Sequence, residues 1–208
     1  AAPSSVVVPT TVAGLEAAHV AAGLDATCAV TTSGEVRCWG NNANGQLGVD
    51  LATPALNEPT GVVPGVDARS VSVGTAHACA VTRTRGVVCW GRDVEGQVGN
   101  GPGDADPILG PARVALAGVV DVTAGAQHTC ARDDGGEGYC WGMGTDGRLG
   151  DGRRMSSPAP VVVSRPGAEP WLQVVAGNIT TAGRTGARTW SWGGGVALGT
   201  EGSSRGSP

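Results

Sequence analysis

Cys79-Ala80-Val81-Thr82-Arg83-Thr84-Arg85-Gly86-Val87-Val88-Cys89-Trp90-Gly91 is the stretch that decides the fold, because the chain contains it four times. The other versions are CAVTTSGEVRCWG at 28–40, CARDDGGEGYCWG at 130–142 and TAGRTGARTWSWG at 181–193. Trp39, Trp90, Trp141 and Trp192 therefore stand 51 residues apart, each followed by glycine. A fixed period near 50 marks one supersecondary unit repeated along the chain. Four such units account for nearly all of the 208 residues.

Each unit alternates short strands with turns and shows no helical periodicity. In the first, His19–Ala22 reads as a strand. Thr27–Thr31 and Glu35–Trp39 read as a hairpin around Thr32-Ser33-Gly34, where the last loop position wants a positive φ. A glycine-rich stretch follows, Asn41-Asn42-Ala43-Asn44-Gly45-Gln46-Leu47-Gly48, and then a fourth strand behind proline (59–63, 111–114 and 160–163 in the first three units). Four short strands per repeat predict an all-β propeller, one blade per repeat. The expected blades are 13–63, 64–114, 115–163 and 169–208, in a single domain. Residues 6–12, with Pro9-Thr10-Thr11-Val12, would supply the closing strand of the last blade. The fourth unit departs most: Gly193-Gly194-Gly195-Val196-Ala197-Leu198-Gly199 lacks the Gly-Gln-Leu-Gly element.

Gly74-x-x-His77-x-Cys79-Ala80-Val81 with Trp90-Gly91 and Gly96-Gln97-Val98-Gly99 resembles the regulator of chromosome condensation repeat, as does Gly125-x-x-His128 with Trp141-Gly142 and Gly147-Arg148-Leu149-Gly150. The resemblance recurs in every unit. It implies a β-propeller whose usual ring has seven blades; this chain supplies four, as a closed four-bladed ring or part of a larger one. The family also includes a bacterial inhibitor of β-lactamases, so enzyme inhibition enters by analogy.

Composition narrows the function. The formal net charge is −4, and all 14 basic residues are Arg. Apart from Arg153-Arg154 they are scattered, so no basic stripe is available for nucleic acid. With no basic tail, the family's nuclear role in nucleotide exchange and chromatin binding is disfavoured. Absence of Lys beside abundant Arg, Ala and Gly points to a GC-rich bacterial genome. No apolar run is long enough to span a bilayer. Ala1-Ala2-Pro3 opens the chain without a leader pattern, so a removed signal peptide and a start within a longer protein both stay open.

Six cysteines form three pairs at the same spacing, Cys28/Cys38, Cys79/Cys89 and Cys130/Cys140, each across a predicted hairpin. In the fourth unit both vanish together, with Thr181 and Ser191 read in their places. Buried thiols and zinc are the competing readings. The spacing lacks the short Cys-x2–4-Cys of structural zinc, whereas facing hairpin positions suit a disulfide. Three disulfides predict an oxidising location: extracellular, periplasmic or cell-surface.

Catalytic signatures are missing: there is no G-x-S-x-G, H-E-x-x-H or P-loop. His77 and His128 share one repeat position and read as structural ties. The recurring Trp read as core between blades, and Trp171 and Trp190 as edge cover or exposed anchors. The expectation is a non-catalytic, secreted or surface-bound protein-binding scaffold, without cofactor or metal. Its divergent loops 41–44, 92–95 and 143–146 would meet the partner through Asn41, Asn42, Asn44, Arg92, Asp93, Glu95, Met143 and Asp146, with Trp190 as a further anchor. Self-association to complete a ring is a second expected contact. A carbohydrate-binding or hydrolytic domain, or a structural subunit of a surface assembly, is the alternative.

Overall fold

The computed structural model describes residues 8–103, 106–165, 167–186 and 188–195. These form fifteen strands in four antiparallel sheets, with no helix among them. The first sheet contains β1 (Ala17–Ala22), β2 (Ala26–Thr31), β3 (Val36–Asn41) and β4 (Ala55–Val62) in that order. The second contains β5 (Ala68–Val73), β6 (His77–Thr82), β7 (Val87–Gly91) and β8 (Ile108–Val114). The third contains β9 (Val119–Ala124), β10 (His128–Asp133), β11 (Gly138–Gly142) and β12 (Ser157–Val162). The fourth has β13 (Gln173–Ala176), β14 (Thr180–Arg184) and β15 (Thr189–Gly193). Each sheet is one blade, built as a meander of sequence neighbours.

The central hairpin of each blade explains the cysteine spacing. Cys28 faces Cys38, Cys79 faces Cys89 and Cys130 faces Cys140 in the ladder, and each pair is disulfide-bonded. The fourth blade slips by one residue relative to the 51-residue period. There Ala182, not Thr181, faces Ser191, and Thr181 faces Trp192. The cysteine position is therefore occupied by Ala182, which corrects the reading by simple spacing.

The Trp-Gly pairs have a backbone reason. The third strand bulges there, between Cys38 and Gly40, Cys89 and Gly91, and Cys140 and Gly142. The glycines take φ of 110°, 103°, 97° and, at Gly193, 105°, a region that L side chains avoid. A Cβ at Gly91 would also lie 2.6 Å from the Ala76 carbonyl oxygen.

The closing strand expected at residues 6–12 is not formed by the residues described: 8–12 lie in no strand, and Val8 and Val12 are exposed. Residues 6 and 7, the fourth unit's 196–200 and all of 201–208 lie outside the described residues. The sheets follow one another along an arc: β1 and β2 pack on β5, β6 on β9, and β10 on β13. No comparable contact joins the first blade to the fourth among the described residues.

Three apolar clusters fill the spaces between successive blades. One face of each of the first three blades contributes its disulfide; the next blade contributes its Trp and small residues. Cys28 and Cys38 thus pack with Ala78, Ala80, Val71 and Trp90. Small residues on the sheet face bring two blades close enough to bury the indole completely, which is why the core needs no Phe. Trp90, Trp141, Trp171 and Trp192 are fully buried, and Trp171 lies tilted on Trp192 with ring centroids 5.6 Å apart.

Candidate functional site

The blade framework commits the repeat motifs to holding blades together. Trp90 Nε1 donates to the Gln46 carbonyl oxygen at 2.9 Å. Trp141 donates likewise to Gln97, and Trp192 to Arg148, at 3.0 Å each. The glycine that ends each Gly-x-x-Gly loop makes room for that ring: a Cβ on Gly48 would sit 3.1 Å from Trp90, and one on Gly99 or Gly150 would meet Trp141 or Trp192. Gln46 and Gln97 also fold back, accepting from the Asn44 and Glu95 backbone N–H through Oε1.

His77 and His128 complete the joint. His77 Nε2 lies 2.8 Å from Thr129 Oγ1, and His128 Nε2 lies 2.8 Å from Thr181 Oγ1. Each threonine hydroxyl gives its one proton to a carbonyl, Gln97 for Thr129 and Arg148 for Thr181. The imidazole must therefore be the donor at Nε2, leaving Nδ1 unprotonated. Burial enforces the neutral form. It lowers His77 to about 4. Burial, with the Arg148 charge adding to it, lowers His128 to about 3. These residues are bonded inside the fold and are not a catalytic pair.

The loops expected to bind lie together on one face of the arc. Asn41 N donates to the Asp25 carbonyl, Arg92 N to Ala76 and Met143 N to Gln127, so each loop stands beside the turn joining the first two strands of its own blade. The central hairpin tips lie at the opposite end, where Val63 N bonds Val36 and Ala68 N bonds Gly34. That end is laced by exposed ion pairs, Arg83–Asp67 at 2.9 Å and Arg85–Asp134 at 2.6 Å.

Asn42 requires a correction. It is fully buried, donating from Nδ2 to the Asp50 and Thr53 carbonyls and accepting from Leu47 N, so it closes its own loop and presents nothing to a partner. Asp93 occupies the same position in the second blade and accepts from Val98 N at 2.9 Å. Burial pushes its carboxyl above the usual range, and the Asp106 charge adds to this against the pull of that hydrogen bond. Asp146 pairs with buried Arg148 at 2.6 Å. Its burial alone would raise it, but the Arg148 hydrogen bonds and charge hold it below the usual range. Asn41, Asn44, Arg92, Glu95 and Met143 are half-buried on this face. Trp190 is half-buried against the third cluster, between the third and fourth blades, away from the loops.

More prominent on the loop face are residues that sequence reasoning passed over. Leu24 is 75% exposed, Met155 69% and Val94 57%. Leu24 follows the Gly23 turn, Val94 tips the second loop, and the Met155 backbone lies against Gly144. Asp25, Asp50 and Asp106 stand exposed among them. An apolar residue at the tip of a polar loop was the available signal; large side chains left in water on one face suit contact with another molecule.

Sequence profiles for the regulator of chromosome condensation (RCC1) repeat match residues 33–81, 86–132 and 135–182, and a second profile of the same repeat matches 17–46, 68–97 and 119–148. The chain belongs to the RCC1 repeat family. Among curated relatives it is 36% identical over 172 residues to the ultraviolet-B receptor UVR8 of Arabidopsis thaliana, covering 79% of this chain and 38% of the receptor. It is 29% identical to the human E3 ubiquitin-protein ligase HERC2, covering 81% of this chain and 4% of the ligase. Among solved structures, human WBSCR16 superposes with a TM-score of 0.83 at 23% identity, over 94% of this chain and 54% of that one. Prp20p of Saccharomyces cerevisiae gives 0.69 at 22%, over 78% and 42%. The chain thus spans about half the length, or less, of the relatives it matches, and the solved structures share its propeller architecture.

Proposed function

We propose that the chain is a non-catalytic protein-binding scaffold, secreted or held at a cell surface, which meets its partner with the face carrying the loops 41–44, 92–95 and 143–146. The observation that carries this reading is the division of labour in each repeat. Trp90, Trp141, Trp192, His77, His128, Gln46, Gln97 and the three disulfides are buried in the joints, while Leu24, Val94 and Met155 are left in water on one face. Three disulfides favour an oxidising compartment. Among the described residues no helix is long and apolar enough to cross a membrane. Relatives point the same way: Prp20p is characterised by its binding to Gsp1p and histones, and UVR8 is a receptor. The acidic, lysine-free composition here suits a protein partner better than a nucleic acid.

The test is affinity capture from the medium and envelope of the source cells. The unaltered chain is compared with a Leu24→Ser, Val94→Ser, Met155→Ser triple variant and with an Arg83→Ser, Arg85→Ser variant at the opposite end. One protein species should be retained by the first and third and lost by the triple variant, with all three melting as cooperative folds. Retention by the triple variant would exclude the loop face. A glycan ligand with no protein partner would favour the carbohydrate-binding alternative.

A further inference from the structure

The third blade carries a basic segment that its counterparts lack. Between the Gly-x-x-Gly loop and the fourth strand, the first blade has Val49-Asp50-Leu51-Ala52-Thr53-Pro54 and the second has the acidic stretch 100–107. The third has Asp151-Gly152-Arg153-Arg154-Met155-Ser156, with the one adjacent basic pair in the chain. Residues 152–156 are all exposed, and 153–156 lie in no strand, turn or bend. The backbone there runs past the blade without doubling back.

Both ends of this segment are held. Asp151 Oδ1 accepts from Arg153 N at 3.0 Å. Beyond the pair, Gly144 N donates to Ser156 Oγ at 3.2 Å, and the Met155 carbonyl lies where a Cβ on Gly144 would be. Gly144 stands at the repeat position of Asn42 and Asp93, whose side chains close their own loops. Its missing side chain admits the segment. The flanking chain is tied deeper still. Leu149 and Val163 are fully buried, Ser164 N donates to the Gly150 carbonyl at 2.8 Å, and β12 pairs with β11.

The other described arginines are placed differently. Arg83, Arg85 and Arg165 are ion-paired, the first two at a hairpin tip. Arg148 is buried and Arg92 half-buried. Arg37, Arg69, Arg113, Arg132 and Arg184 lie in strands. Arg188 is exposed, but its carbonyl is bound by Thr185 N inside a hairpin.

We propose that 151–156 is a limited-proteolysis site for an arginine-specific serine endoprotease, cut at the Arg154–Met155 bond without loss of the assembled blades. Such an enzyme takes its substrate as an extended strand, with a guanidinium paired to a carboxylate in its primary pocket. A segment that is already exposed and free of tight turns enters that cleft directly. An arginine in a strand enters only after its sheet opens, which is far rarer. Hydrolysis consumes one water: its oxygen joins the Arg154 carbonyl carbon, the C–N bond breaks, and Met155 leaves as an amine that takes up a proton. No disulfide spans this bond. Residues 1–154 and 155–208 would then be joined by the β11–β12 ladder, the Ser164–Gly150 bond and the Trp192 bond to the Arg148 carbonyl. The site does not depend on the loop face being a binding surface.

The test digests the full chain under native conditions with trypsin as the probe, at a low enzyme ratio, followed by intact-mass spectrometry. The first products should be 1–154 and 155–208, formed about tenfold or more faster than any cut after another described arginine, because those require local opening. The two fragments should co-elute by size exclusion in buffer and separate in denaturant. An Arg153→Gln, Arg154→Gln variant that melts like the unaltered chain should lose this cut and be nicked about tenfold or more slowly overall. A first cut at another bond among the described residues, a double variant nicked as fast as the unaltered chain, or fragments that part in buffer once formed would each overturn the proposal.

Discussion

At the residue scale, one tryptophan position has two environments. Trp90 is fully buried between the first and second blades and bonds the Gln46 carbonyl, whereas Trp39 is half-buried. Trp90→Ala should cost roughly 3–5 kcal/mol through the cavity it opens. Trp39→Ala in the same chain should cost about 1 kcal/mol or less, as a half-exposed side chain outside any joint. Urea denaturation of the two variants checks this, and equal costs would contradict the assignment of joints. The histidines give a second residue-level expectation. Well above pH 6.5, neither the folded nor the unfolded chain protonates His77 or His128. Between 6.5 and about 4 the unfolded chain takes up protons that the buried imidazoles refuse, so stability must fall as pH falls. Moving a titration by one pH unit is worth about 1.4 kcal/mol, so by pH 4 each histidine accounts for a loss of about 3 kcal/mol. Denaturation midpoints from pH 7 to 4 should show this decline, and a His77→Gln, His128→Gln variant should flatten it. The Trp and His positions were legible in the sequence because they recur at a fixed interval. The burial of Asn42 was not, since its partners Asp50 and Thr53 lie in a loop with no repeat signature.

At the element scale, the hairpin and the loop each have one indispensable feature. The disulfide closes a short hairpin, so replacing Cys79 and Cys89 together by Ala should cost roughly 2–3 kcal/mol, measured by denaturant midpoint against the intact protein. Non-reducing peptide mapping should find Cys28–Cys38, Cys79–Cys89 and Cys130–Cys140 and no free thiol. In the loop, Gly99 has φ of 80° and its missing Cβ is replaced by the Trp141 ring. Gly99→Ala should therefore cost more than the ~1–2 kcal/mol of the left-handed backbone alone. Strand order and hairpin pairing were readable from the alternation and the glycines. The one-residue slip in the fourth blade was not: Trp192 keeps the 51-residue interval while its hairpin is shorter, and only the ladder shows that Ala182 faces Ser191. Residues 8–12 lie in no strand, while residues 6 and 7 and the end of the fourth unit lie outside the described residues.

At the scale of the whole molecule, four blades are tied one to the next by indole-to-carbonyl bonds and interblade apolar clusters, and the arc presents two ends of different character. The hairpin end is crossed by exposed ion pairs, which contribute little to stability. The loop end carries Leu24, Val94 and Met155 in water. The family and architecture were legible because the repeat is the fold. The binding residues were only partly legible, since a loop is identified by divergence and its exposed apolar tips depend on how the turns stack in space. Site-specific photo-crosslinking, with benzoylphenylalanine at Val94 in one variant and at Arg85 in another, tests the central claim most directly. In source cells the Val94 variant should yield one defined crosslinked protein and the Arg85 variant should not. A product from Arg85 alone would contradict the assignment of the loop face as the binding surface.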